Sequence, residues 1–249
     1  LPKKIESVPS NSIIIIGHAY GSHEGSELRG NNTISPSIKN FYELNKENID
    51  AIIFSGDVLK QPSLKKWNFF YSTFDKKIKI FIAPGNHDVG ENNNSAFRNI
   101  FKIANHKDQF QKDFPFSVIL NNQAFIIDDS NMSNYSLNKI FSLSAELKEF
   151  KSIFIIRHHI LAKSLGSFGN SRDNSQMLKD NELKIKSKFS LNQNVTFIYG
   201  DGGAFKRLPR VACKKINNIN HLVNGIGDTE NDIVLVINNQ DIFIKYLNK

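Results

Sequence analysis

The chain has 249 residues, a formal net charge of +8 and 40% hydrophobic residues, enough to build a sizeable core. Its apolar runs all fall well short of the roughly 20 residues that a bilayer-spanning helix needs, so no transmembrane segment is expected. Excess lysine is scattered among Asn and Ile without a compact basic stripe carrying aromatics, which does not favour nucleic acid as a partner. The single cysteine, Cys213, excludes an intrachain disulfide and fits a reducing, cytoplasmic setting; a chain beginning at Leu1 is also compatible with a removed leader.

In chain order, short apolar runs are each closed by turn residues. Ile13–Ile16 meets Gly17-His18. Ala51–Phe54 meets Ser55-Gly56-Asp57, and Ile78–Ala83 meets Pro84-Gly85-Asn86. Phe125–Ile127 leads to Asp128-Asp129-Ser130, Ile153–Ile156 to Arg157-His158-His159, and Val195–Tyr199 to Gly200-Asp201. Runs this short and this apolar read as strands buried on both faces. The stretches 35–48 and 137–150 between them read as amphipathic helices, and Asn92–Asn94 as a polar loop. Toward the end, Ile233–Ile237 and Ile242–Leu247 flank Asn238-Asn239-Gln240-Asp241 as a hairpin. Strand-helix alternation followed by a β-rich tail predicts an α/β fold, a two-sheet sandwich flanked by helices, with residues 1–249 as one domain. The tail is expected to contribute to the second sheet.

The chemistry gathers just after the strands. His18, Asp57, Asn86 with His87 and Asp88, His158 with His159, and Asp201 follow five separate apolar runs. In open α/β sheets ligands bind outside the carboxyl ends of the strands. A lone His or Asp there is an ordinary turn residue, but five in corresponding places suggest convergence. Carboxylate, amide oxygen and imidazole donors together suit Mn, Fe or Zn better than Ca.

Gly56-Asp57 followed by Gly85-Asn86-His87-Asp88 resembles the second and third motifs of the calcineurin-like metallophosphoesterases. The Asp128-Asp129-Ser130 turn, the strand into His158-His159 and the Gly200-Asp201-Gly202-Gly203 segment are similar to later parts of that family. The resemblance implies metal-dependent hydrolysis of a phosphate ester by metal-activated water. The substrate would be a phosphorylated small molecule or a phosphodiester. It implies Asp57 between two metal positions, with Asn86, His158 and Asp201 completing one. The other would hold Asp57 and His18, with Tyr20 and Gly203 standing where the family has histidines. His87 would assist at the phosphate, Asp88 would orient the His87 ring, and His159, Tyr20, Arg157 and Arg172 are candidates to touch substrate.

The departures matter as well. The family opens with Asp-x-His where this chain has His18-Ala19-Tyr20, and Asp201 replaces a histidine. The exchange at positions 18 and 201 keeps the number of carboxylates, and so the charge facing a metal. One strong transition-metal site is therefore expected, with the second weak or empty. The competing reading is a catalytically impaired binding protein of the same fold.

Overall fold

The computed structural model describes residues 2–30, 33–90, 95–105, 113–131, 136–189, 194–202 and 210–247. The polar stretch Asn92–Asn94 and Gly203 lie outside them.

Two six-stranded sheets face each other. The first contains β1 (Lys3–Lys4), β2 (Ser12–Ile16), β3 (Ile49–Phe54), β4 (Lys79–Ile82), β11 (Ile233–Asn238) and β12 (Asp241–Tyr246), in the order β1-β12-β11-β2-β3-β4. The second contains β5 (Phe116–Leu120), β6 (Gln123–Ile127), β7 (Ser152–Arg157), β8 (Asn194–Tyr199), β9 (Val211–Ile216) and β10 (Ile219–Asn224), in the order β5-β6-β7-β8-β10-β9. β2-β3-β4 and β6-β7-β8-β10 run parallel; in the second sheet β5 and β9 close the edges antiparallel, whereas in the first β11 is antiparallel to both its neighbours and the edge strands β1 and β4 pair in parallel.

Strand alternation explains the unbroken apolar runs. Ile13, Ile15, Ala51 and Ile53 point inward and meet Phe125, Ile127, Phe154, Ile156 and Ile198 of the second sheet. Their neighbours Ile14, Ile16, Ile52 and Phe54 point outward. They pack under α2 (Pro36–Asn45), α3 (Leu64–Ser72) and α5 (Ala96–Asn105), through Ile38, Phe41, Trp67, Phe70 and Phe101. On the other side Ile126, Ile153, Ile155 and Phe197 are covered by α6 (Ser136–Glu146) and α7 (Ser175–Lys188), through Leu137, Ile140 and Ile185. The central strands β2, β3, β6, β7 and β8 therefore have two buried faces, and each fully buried Ile or Phe contributes about 1.5–3 kcal/mol. The predicted helices at 35–48 and 137–150 correspond to α2 and α6. Pro36 begins α2, where its missing N–H costs nothing.

The expectation for the tail holds only in part. The terminal hairpin does not enter the second sheet: β11 pairs antiparallel with β2 and returns the chain to the first. Of the tail, only β9 and β10 join the second sheet. Gly225-Ile226-Gly227 begins the connection from β10 back to the first sheet.

His221 on β10 is buried at 1% exposure, stacked on Phe197 and 2.9 Å from the Tyr199 hydroxyl. Burial lowers its pKa from 6.5 to about 4. Between those values the unfolded chain binds a proton that the folded chain refuses, so stability falls as pH drops from 6.5 toward 4. The loss is about 3 kcal/mol when complete. Urea unfolding at pH 7 and pH 4.5 checks this: His221→Phe should flatten the pH dependence by about one proton. An unchanged slope would show that His221 does not enter the core neutral.

Candidate functional site

Pairing register brings the strand ends level. Ile16 lies beside Phe54 and Phe54 beside Ile82 in the first sheet, while Ile127, Ile156 and Ile198 align in the second. The turns that follow interlock through main-chain hydrogen bonds. His18 N–H donates to Gly56 O at 3.0 Å, Tyr20 N–H to Asp57 O at 3.2 Å, and Gly200 N–H to His158 O at 3.1 Å. Close approach needs glycine at two points. Gly56, at φ 97°, has no room for a Cβ beside the His158 ring, whose Nδ1 would lie 2.5 Å away. A Cβ on Gly85 would collide with the Asp57 carboxylate. His18 and Asp57 themselves take left-handed backbone, at φ 52° and 54°, a conformation that non-glycine residues hold only where surrounding structure enforces it.

The side chains converge. Asp57 Oδ2 lies 3.4 Å from His18 Nε2 and 3.3 Å from His158 Nε2, and His158 Nε2 is 3.6 Å from Asp201 Oδ1. Ligand atoms of His18, Asp57 and Asp201 all lie within 4.8 Å of one another, and all three residues are buried. Both imidazoles have Nδ1 against a carbonyl: His18 at 3.1 Å from Gly21 O, His158 at 3.0 Å from Ser55 O. A carbonyl only accepts, so Nδ1 donates and Nε2 is the ring atom turned to the cluster, the orientation of metal-ligating histidines. His158 Nε2 is buried without a hydrogen-bond partner. Two carboxylates and two oriented imidazoles around an unsatisfied nitrogen fit a divalent cation.

Electrostatics follow from burial and neighbours. Burial lowers the His18 pKa to about 3, against the pull of Asp57. Burial also works against a charged His158, but Asp57 and then Asp201 push it up to about 9. Burial opposes ionisation of Asp57, yet His158, His18 and His87 together hold its carboxyl below the ordinary range. Asp201 is raised by burial, with the Asp57 charge adding to it.

A pocket of about 180 Å³ opens over this cluster, lined by His18, Tyr20, Asp57, Asn86, His87, His159, Asn170, Ser171, Arg172 and Asp201. Asn86 and His87 open α4 (Asn86–Val89). The His87 N–H donates to Asp57 Oδ1 at 3.1 Å. Its ring Nδ1 lies 3.0 Å from the Lys60 carbonyl, so Nε2 is the atom left for a ligand. His159 is buried, with Nδ1 3.0 Å from Ser130 Oγ. Burial, followed by His158, keeps its pKa well below 6.5. Tyr20 packs its ring 4.3 Å from that of His18 and puts its hydroxyl 3.1 Å from His23 Nε2. Burial, then Asp57, raises its pKa, which disfavours phenolate. Arg172 is an exposed residue of the pocket wall.

Two expected roles do not match the geometry. Asp88 does not hold the His87 ring. Its carboxylate accepts from Val58, Leu59 and Gly85 N–H at 2.9–3.2 Å, and so ties the β3 and β4 turns together. Arg157 is buried and turned away from the pocket, with Nε donating to His159 O at 2.9 Å and Nη1 3.2 Å from Asp128 Oδ2. Arg172 was a candidate from the sequence, but its neighbours Asn170 and Ser171 in the pocket wall were not. There the Asn170 N–H donates to Asp201 Oδ2 at 2.7 Å and leaves Oδ1 to face His158. No motif marks it; only the fold brings it over Asp201.

No protein of curated function matches the sequence. Among solved structures, the chain resembles a Staphylococcus aureus protein named as a candidate 5'-nucleotidase, in complex with alpha-ketoglutarate. Identity is 13% and the TM-score 0.54, over 96% of this chain and 54% of that one. The chain thus spans about half the length of that protein. It also matches the phosphopantetheinyl hydrolase of Mycobacterium tuberculosis at 8% identity and a TM-score of 0.47, over 89% of this chain and 91% of the other. The family model of the calcineurin-like phosphoesterases matches residues 23–225, a span that holds Asp57, Asn86, His87, His158 and Asp201 and begins after His18 and Tyr20. The chain belongs to the calcineurin-like phosphoesterases.

Proposed function

We propose that this protein hydrolyses a phosphate ester with one divalent transition metal, Mn, Fe or Zn, held by His18, Asp57, Asn86, His158 and Asp201. The observation that carries the reading is the convergence of His18, Asp57 and Asp201 ligand atoms within 4.8 Å of one another at a pocket, with the buried His158 Nε2 3.3 and 3.6 Å from the two carboxylates. A bound metal supplies Lewis acidity toward the phosphoryl oxygens and lowers the pKa of water. Around it the chain's own groups orient the substrate. Arg172, on the pocket wall, offers a planar set of donors to phosphate oxygens. His159, neutral, offers a ring N–H to the same group. As the water oxygen bonds to phosphorus and sheds its proton to solvent, the bond to the leaving oxygen breaks and a proton on His87 Nε2 passes to that oxygen. The Lys60 carbonyl holds the ring for this step. Tyr20, tied to His23, fills the space beside His18 and leaves a second metal weakly held or absent.

The pocket of about 180 Å³ is small against the roughly 300–1,000 Å³ of sites that enclose whole ligands. It suits a phosphoryl group whose remaining substituent lies outside, in a phosphorylated small molecule. A panel of aryl phosphate monoesters, a diester, nucleoside 5'-monophosphates and phosphopantetheine, assayed with each metal, tests this. Metal-stimulated phosphate release that chelation abolishes is expected. A metal-loaded protein that turns over none of these would instead support the impaired binding protein.

A further inference from the structure

We infer that Asp228 is a positioning residue that sets the His18 side chain toward the metal through the Tyr20–Ser22 turn. The inference rests on the reading that the His18/Asp57/Asp201 cluster holds a cation.

His18 can offer Nε2 only while Nδ1–H stays on the Gly21 carbonyl, so the ligand depends on where that carbonyl is held. The preceding carbonyls of the turn each have a donor of their own. His18 O accepts from Gly21 N–H at 3.0 Å, Ala19 O from Ser35 N–H at 2.7 Å, and Tyr20 O from Arg29 Nη2 at 2.6 Å. The Gly21 carbonyl is thereby left to His18.

The outer side of the turn is gripped by one carboxylate from the far end of the sequence. Asp228 Oδ2 accepts from Ser22 N–H at 2.8 Å, from Ser22 Oγ at 3.1 Å and from Arg29 Nη2 at 3.2 Å. Its Oδ1 accepts from Ser35 Oγ at 2.6 Å. Ser35 stands at the N-cap of α2 but makes no side-chain cap; Asp228 takes its hydroxyl instead. Gly21, at φ 81°, lies so close that a Cβ there would run into the Asp228 carboxylate. Asp228 is fixed in turn: Asp232, fully buried, accepts from Gly227 and Thr229 N–H at 3.1 and 3.0 Å on either side of it.

With 18–20% of each side chain exposed, the Asp228–Arg29 pair adds little stability as an ion pair. Its consequence is geometric. Outer partners that hold a ligating histidine change metal affinity by about 10–100-fold.

Asp228→Asn keeps the side-chain volume and tolerates the left-handed backbone at φ 55°, but removes the charge that collects these donors. Titration with Zn²⁺ and with Mn²⁺ alone, followed by calorimetry, should show affinity falling about 10–100-fold. In a His18→Ala background the same substitution should leave affinity at the level of His18→Ala alone. Equal losses in both backgrounds, or no loss in either, would overturn the inference. Should Asp228→Asn fail to fold by circular dichroism, Arg29→Gln removes the donor of the Tyr20 carbonyl while keeping Asp228, and must give the same dependence on His18. Unmodified protein that binds neither metal would overturn the underlying metal reading, and this inference with it.

Discussion

Asp57→Asn is expected to lower metal affinity by more than about 100-fold, because even an outer partner of a ligand costs 10–100-fold. Asp57 is the hub of the cluster. Its Oδ2 faces both His18 and His158, and its Oδ1 accepts the His87 N–H. Asparagine keeps the shape, tolerates the left-handed backbone and still accepts that hydrogen bond. What it lacks is the charge that offsets a cation in a buried site. Phosphoester turnover should fall with the metal, while the circular dichroism spectrum stays that of the parent. A variant that retains stoichiometric metal would show that the cation is held elsewhere.

His87→Ala should separate chemistry from metal binding. Turnover is expected to drop by about 10²–10⁴, the usual cost of removing a positioned acid or base, with metal content unchanged. His87 reaches Asp57 only through its main chain, which alanine preserves, and its ring sits on the Lys60 carbonyl at the pocket wall. Two outcomes would count against its assignment: full activity, or metal lost in proportion to activity.

Much of this architecture was legible in the sequence because the determining signals are local. Ile13–Ile16, Ala51–Phe54 and Ile153–Ile156 are too apolar for one-sided strands, and they lie buried between two layers. The residues after them were candidates because strand ends in such folds gather, and register brings His18, Asp57, His158 and Asp201 together. What failed depended on local direction or distant pairing. Asp88 follows His87 in sequence, and adjacency suggested a pair. On a helix, however, neighbours point about 100° apart, and Asp88 at the start of α4 turns back to the Gly85 N–H. Arg157 ends its strand paired with the buried Asp128 and does not line the pocket. The hairpin of β11 and β12 was plain in the pattern, but an alternating strand carries no label for its sheet. Asp228 had no motif, and its partners Ser22, Arg29 and Ser35 lie some 200 residues earlier.

One buried cluster at the strand ends is expected to hold a single metal. Metal analysis of the purified protein, reconstituted with Mn²⁺, Fe²⁺ or Zn²⁺ and desalted, tests it most directly when run beside Asp57→Asn. About one equivalent of tightly held transition metal is expected in the parent and almost none in the variant. Two tightly held equivalents, or none in the parent, would contradict it.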